Sequence, residues 1–146
     1  MMGGPVTLGF PLMHPLDSLL VFASTQFPRH PRDEELANAE TMHGYALARH
    51  IADGLRDRGF GEVELIAEDW GWYCEVPNSG YALMYGVCNE QDTKFLIQFS
   101  PRKPVIRRWF RKIEVETRVR ALQQAVFDIL ERAPGRTDGP RFTDQY

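Results

Sequence analysis

Between residues 61 and 99 the chain alternates in character from one position to the next, and the alternation is cut at short intervals by turn-forming residues. Val63 and Leu65 alternate with Glu62 and Glu64. Trp70, Trp72, Cys74 and Val76 occupy every second place of the next run. Tyr81, Leu83, Tyr85 and Val87 oppose Ala82, Met84, Gly86 and Cys88, and Phe95, Ile97 and Phe99 share a face of the last run. A period of two marks strands, here over about 61–67, 70–76, 81–88 and 93–99. Pro77-Asn78-Ser79-Gly80 and Asn89-Glu90-Gln91-Asp92 read as turns, because Pro presets one backbone angle and Asn and Gly accept turn conformations. Connections this short make consecutive strands antiparallel neighbours.

Two helices flank this meander. Leu47, Ile51 and Leu55 recur every four residues beside Ala48 and Ala52, which predicts a helix over 41–58 that stops at Gly59. Val119, Leu122, Val126 and Ile129 form a second stripe, predicting a helix over 115–132 that ends at Pro134-Gly135. Residues 16–24 read as the first strand, covered on both faces, and 25–40 as a polar connection in which Pro28 and Pro31 argue against a central strand. The stretches 1–5 and 136–146 read as loosely ordered, the second with the alternative of a short edge strand. Two amphipathic stripes need an apolar surface, and one face of a sheet can cover both. The expectation is an α+β fold: a two-layer α/β sandwich, a mainly antiparallel sheet of about five strands with two helices on one face, in a single domain over 1–146.

Composition adds limits. The formal net charge of −3 aids solubility and does not suggest a nucleic-acid binder. No run approaches the length of a membrane span, and MMGGPVTLGF, lacking Lys and Arg, does not read as a signal peptide. A soluble, cytoplasmic protein is the default reading. Cys74 and Cys88 sit in apolar strand-like runs, so packed, reduced thiols are expected, although the turn at 77–80 makes them candidate neighbours.

Glu68-Asp69-Trp70-Gly71-Trp72-Tyr73-Cys74 is the densest chemical segment. Read structurally, the acids solvate a turn or bulge while Trp70 and Trp72 pack into the core. Read functionally, it is a rigid contact surface, since aromatic side chains remove much area from water at small entropic cost. Catalysis by Glu68 and Asp69 is disfavoured because adjacent strand residues point to opposite faces. His43 and His50 stand seven apart, about two helical turns, too far to share a metal. The histidines and cysteines follow no zinc-binding pattern, and neither a nucleophile elbow nor a phosphate loop is present. No catalytic residue, cofactor or metal is assigned.

Charge is uneven along the chain. Residues 29–100 hold thirteen acids against six basic residues, whereas 101–120 hold eight basic residues against Glu114 and Glu116. Trp109-Phe110 lies inside this basic stretch. The expectation is that it anchors against the sheet while the arginines fan outward. Such a patch suits a solvated face, an acidic protein surface (a second copy of the chain included), or nucleic acid through phosphate contacts and stacking.

The segments Glu68-Asp69-Trp70-Gly71-Trp72, Phe95-Leu96-Ile97-Gln98 and Lys103-Pro104-Val105-Ile106-Arg107-Arg108-Trp109-Phe110 resemble a family of small bacterial proteins of unknown function, over residues 25–133. The resemblance implies a bacterial source and a compact single domain, and carries no activity, substrate or cofactor. In size and charge the chain is also similar to immunity proteins, which inhibit a cognate toxin. The leading functional expectation is therefore a non-enzymatic protein-binding domain with a recognition surface of Glu68, Asp69, Trp70, Trp72, Tyr73, Arg107, Arg108 and Arg111. Its partner would be another protein or a second copy, with nucleic acid less favoured. The alternatives are a small enzyme with an acidic site at Glu68 and Asp69, aided by His43 or Arg108, and a nucleic-acid accessory protein using the 102–112 patch.

Overall fold

A computed structural model of the chain describes residues 14–144. The elements run β1 (Leu19–Ser24), a 3-10 helix (Pro31–Glu35), α1 (Tyr45–Asp57), β2 (Glu64–Glu68), β3 (Gly71–Val76), β4 (Leu83–Gln91), β5 (Lys94–Ser100), β6 (Val105–Arg108), β7 (Arg111–Glu114), α2 (Glu116–Glu131) and β8 (Arg136–Thr143). Six strands form one sheet in the order β2-β3-β4-β5-β1-β8, every neighbouring pair antiparallel. β6 and β7 form a separate hairpin. The fold is α+β, as the patterning predicts.

The register explains the core. Trp72 pairs with Val87, Cys74 with Tyr85 and Val76 with Leu83. Tyr85 pairs with Phe99 and Val87 with Ile97, while Leu20 pairs with Ile97 and Phe22 with Phe95. This one face meets Leu47, Ile51 and Leu55 of α1 and Val119, Leu122 and Val126 of α2, all fully buried. Burying each such side chain contributes roughly 1.5–3 kcal/mol. The Tyr85 hydroxyl, carried into this layer, donates to the Ala48 carbonyl at 2.9 Å, so its one polar group is satisfied.

Several boundaries differ from the patterning for local reasons. Residues 136–143 are the edge strand β8, since Leu19, Leu20 and Val21 pair with Thr143, Phe142 and Arg141. Among the described residues the sheet has six strands, the five expected plus this edge strand. Residues 1–5 and the chain end at 145–146 lie outside the described residues. α1 begins at Tyr45, not near residue 41, because His43 is held elsewhere: its amide donates to Asn89 Oδ1 at 3.0 Å and its ring bonds the Asp92 carbonyl at 3.0 Å. Glu68 pairs with Gly71, so Asp69-Trp70 is a two-residue turn and period-two alternation does not pass through it. Trp70 thus leaves the face of Trp72 and lies on the opposite, outer face, where a Cβ on Gly86 would come within 2.6 Å of its ring. Cys74 faces the helices, whereas Cys88 borders the outer face. Both are free thiols rather than neighbours across one face.

Candidate functional site

The sequence between β5 and α2 folds into an element that contradicts its own local chemistry. Arg108 pairs with Arg111 and Arg107 with Lys112, two like-charge pairs directly across a two-stranded ribbon. Such pairs weaken a hairpin, and an isolated two-stranded ribbon is marginal to begin with. The turn between them is Trp109-Phe110. Trp109 is the one non-glycine residue with positive φ among the described residues, at 61°, a conformation that costs an L-residue about 1–2 kcal/mol. Gly is the residue such a turn favours.

The base of the ribbon holds it. Ile106 pairs with Ile113, and both pack against the core. The Val115 amide donates to the Pro104 carbonyl at 3.0 Å, and the Arg108 guanidinium donates to the Gly80 carbonyl at 2.6 Å. With the base fixed, the tip projects: Trp109 is 88 % exposed and Phe110 99 %. Trp109-Phe110 is therefore not anchored against the sheet, as the sequence reading expected. A two-residue turn at the end of a short ribbon has no core within reach. Arg107, Arg111 and Lys112 are likewise exposed.

The outer face of the sheet carries a shallow groove of about 290 Å³ lined by Trp70, Tyr73, Met84, Gln98 and Arg102. The Arg102 guanidinium donates to Gln98 Oε1 at 2.6 Å. Tyr73 donates to Glu75 Oε1 at 3.1 Å, and burial, then Glu75 and Glu68, raise its phenol above the ordinary range. Glu68 and Asp69 are exposed at the β2–β3 turn and line neither this groove nor the larger cleft below. They stand at the Gly71 end of β3, whereas the hairpin is tied to the turn beyond Val76, a strand length of about 17 Å away. The residues read as one recognition surface are thus not brought together: Glu68 and Asp69 stand at the β2–β3 turn, Trp70 and Tyr73 line the outer-face groove, and Arg107, Arg108 and Arg111 lie on the hairpin.

Trp72 belongs to none of these. It is fully buried, and its indole N–H donates to Asp33 Oδ1 at 2.8 Å. The same oxygen accepts from the amides of Gly44 and Tyr45 at 3.0 Å each, and Oδ2 accepts from the His30 amide at 2.9 Å. Asp33, itself fully buried, caps α1 from eleven residues before Gly44. The Arg32 guanidinium lies 4.9 Å from the Tyr45 ring and 5.7 Å from that of Trp72, closing the cluster. Asp33 is not marked as special by the sequence pattern. The only available signal was an acid followed by the buried stripe of α1.

A cleft of about 620 Å³ opens at the other end of the sheet, lined among others by Phe27, Arg29, Glu40, His43, Asn89 and Asp92. Its histidine is committed to the Asp92 carbonyl. Among the described residues no group of three or more His, Cys, Asp or Glu side chains converges to hold a metal ion. Burial drives the Cys74 thiol well above the ordinary range, and burial followed by Glu90 raises Cys88, so neither is an activated nucleophile. No helix among the described residues is long and apolar enough to cross a membrane. Comparison of the chain with protein-family models, curated proteins and solved structures gives no match.

Proposed function

We propose that the chain is a non-catalytic binding domain that engages a negatively charged macromolecule through the β6–β7 hairpin. One observation carries the reading: two nearly fully exposed aromatic rings sit at the tip of a ribbon whose two cross-strand pairs next to the turn are both cationic. A fold that spends stability on such an element retains it for contact, because local conflict with the rules of folding concentrates at functional positions. Residues 102–112 carry six cations and no acid, which leaves −9 on the rest of the chain (−3 less +6). The hairpin segment is therefore the densest run of uncompensated cations in an otherwise net-acidic chain, and it is where a polyanion finds most attraction. The free thiols suit a reducing, cytoplasmic setting.

The test is binding to heparin and poly-glutamate by fluorescence anisotropy at about 50 and 200 mM salt, the range over which phosphate-type contacts weaken steeply. The reading predicts salt-sensitive association with at least one of these polyanions that Arg107→Glu/Arg111→Glu abolishes. Association that survives the double charge reversal would overturn it. A second reading, a homodimer, is favoured by the exposed Glu68 and Asp69 at the far end, which the chain's own hairpin cannot reach. It predicts a doubled mass in sedimentation that the same variant returns to a monomer.

A further inference from the structure

We infer that the hairpin binds single-stranded nucleic acid, with Trp109 and Phe110 stacking on unpaired bases and Arg107, Arg108, Arg111 and Lys112 meeting the phosphates. This rests on the polyanion reading above and names the partner within it.

The distribution of charge decides between partner classes. In an antiparallel ribbon, residues two apart share a face, so Arg108 and Arg111 lie on the face of Ile106 and Ile113, and Arg107 and Lys112 lie on the other. Cations therefore occupy both faces around one tip. A folded acidic protein that docks on a ribbon covers one face and leaves the other pair unmet. A flexible strand passing over the tip places phosphates along both. The aromatic pair points the same way. Two adjacent rings, 88 % and 99 % exposed with no wall beside them, have not been given a pocket to fill. Base faces are flat and need none, so stacking is available to every nucleotide and is tolerant of sequence. Duplex DNA offers its bases edge-on, and two bulky rings gain stacking there only by unstacking a step. Arg102, three residues before β6, lines the groove of Trp70 and Tyr73, which supplies further aromatic surface.

The experiment uses the full chain with end-labelled strands of about twelve nucleotides, within the size range such sites occupy: oligo-dT, the same length without bases, and a duplex. Heparin and poly-glutamate are run in parallel. The inference predicts that oligo-dT binds at least about tenfold more tightly than the abasic strand, the scale expected of base stacking. Trp109→Ala and Phe110→Ala should each remove most of that preference while leaving heparin binding intact. The slope of log K against log salt should be about −3 for four phosphate contacts on a single strand. Both rings are exposed, so an unchanged melting temperature shows that these variants fold. Equal binding of the oligo-dT and abasic strands, or tighter binding of duplex or of poly-glutamate, overturns the nucleic-acid assignment and leaves the polyanion reading standing. Absence of binding to every probe at about 50 mM salt overturns both, since phosphate contacts are strongest at low salt.

Discussion

Asp33 shows how one residue organises the region between the 3-10 helix, α1 and β3. Its carboxylate accepts four donors, from the His30, Gly44 and Tyr45 amides and the Trp72 indole. Asp33→Ala strands all four in a buried site, and the expected loss is about 2–4 kcal/mol by urea denaturation. Asp33→Asn keeps one oxygen but turns a donor toward either Oδ position's partners, so it should cost less, about 1–2 kcal/mol. Equal stability of the alanine variant would remove Asp33 from this role. His50 adds a pH dependence. Burial against Phe27 lowers its pKa below the ordinary 6.5, with Asp53 opposing. The folded state then holds fewer protons than the unfolded one below about pH 6.5, so stability is full above that value and falls as the solution is acidified. The melting temperature should drop between about pH 7.5 and pH 5.5, and His50→Phe should flatten its share of that drop. Neither role was legible from the sequence. Asp33 stands beside Glu34 and Glu35 in a polar stretch, and only the return of the chain at Gly44 buries one of the three.

Among the elements, those with a long periodic signal were legible and the hairpin was not. α1 and α2 present full stripes, and β3 to β5 alternate over several residues, so burial and pattern agree. β6 and β7 have four residues each, with only Ile106 and Ile113 half-buried, too few for a period to show. Their turn, Trp-Phe, is also the reverse of turn chemistry, which is why the segment read as a basic run and its aromatics as anchors. The conflict yields a prediction in which stability and binding move apart. Trp109→Gly/Phe110→Asn places Gly at the positive-φ position, and Arg107→Glu converts one repulsive cross-strand pair into an attractive one. The combined variant should give greater hydrogen-exchange protection of the 105–114 amides, with a gain of about 1–2 kcal/mol for the ribbon. It should also lose polyanion binding. If binding persists in the better-formed hairpin, the tip is not the recognition element.

For the molecule as a whole, the sheet order separates charge. β1 enters between β5 and β8, a long-range insertion that alternation cannot announce, and among the described residues it leaves β2 at one edge of the sheet with its acidic turn. The β2–β3 turn carries Glu68 and Asp69 at one end of β3, while the hairpin, tied beyond the other end, carries its cations. The reach of these charges follows from screening. Across about 17 Å in water each acid opposes a phosphate at the hairpin by about 0.25 kcal/mol, and the Debye length at physiological salt, about 8 Å, removes most of that. At about 10 mM salt the Debye length is about 30 Å and the repulsion is felt. Glu68→Gln/Asp69→Asn should therefore tighten polyanion binding about twofold at about 10 mM salt and leave it unchanged at about 150 mM, as titration of labelled heparin at the two salts would show. A homodimer makes the opposite demand. If the acidic turn receives the hairpin of a second copy, the same variant breaks that contact, lowers the sedimenting mass, and frees the hairpin at both salts. A salt-independent gain in polyanion binding, accompanied by a fall in mass, would transfer the two acids from a distant repulsive field to a contact surface.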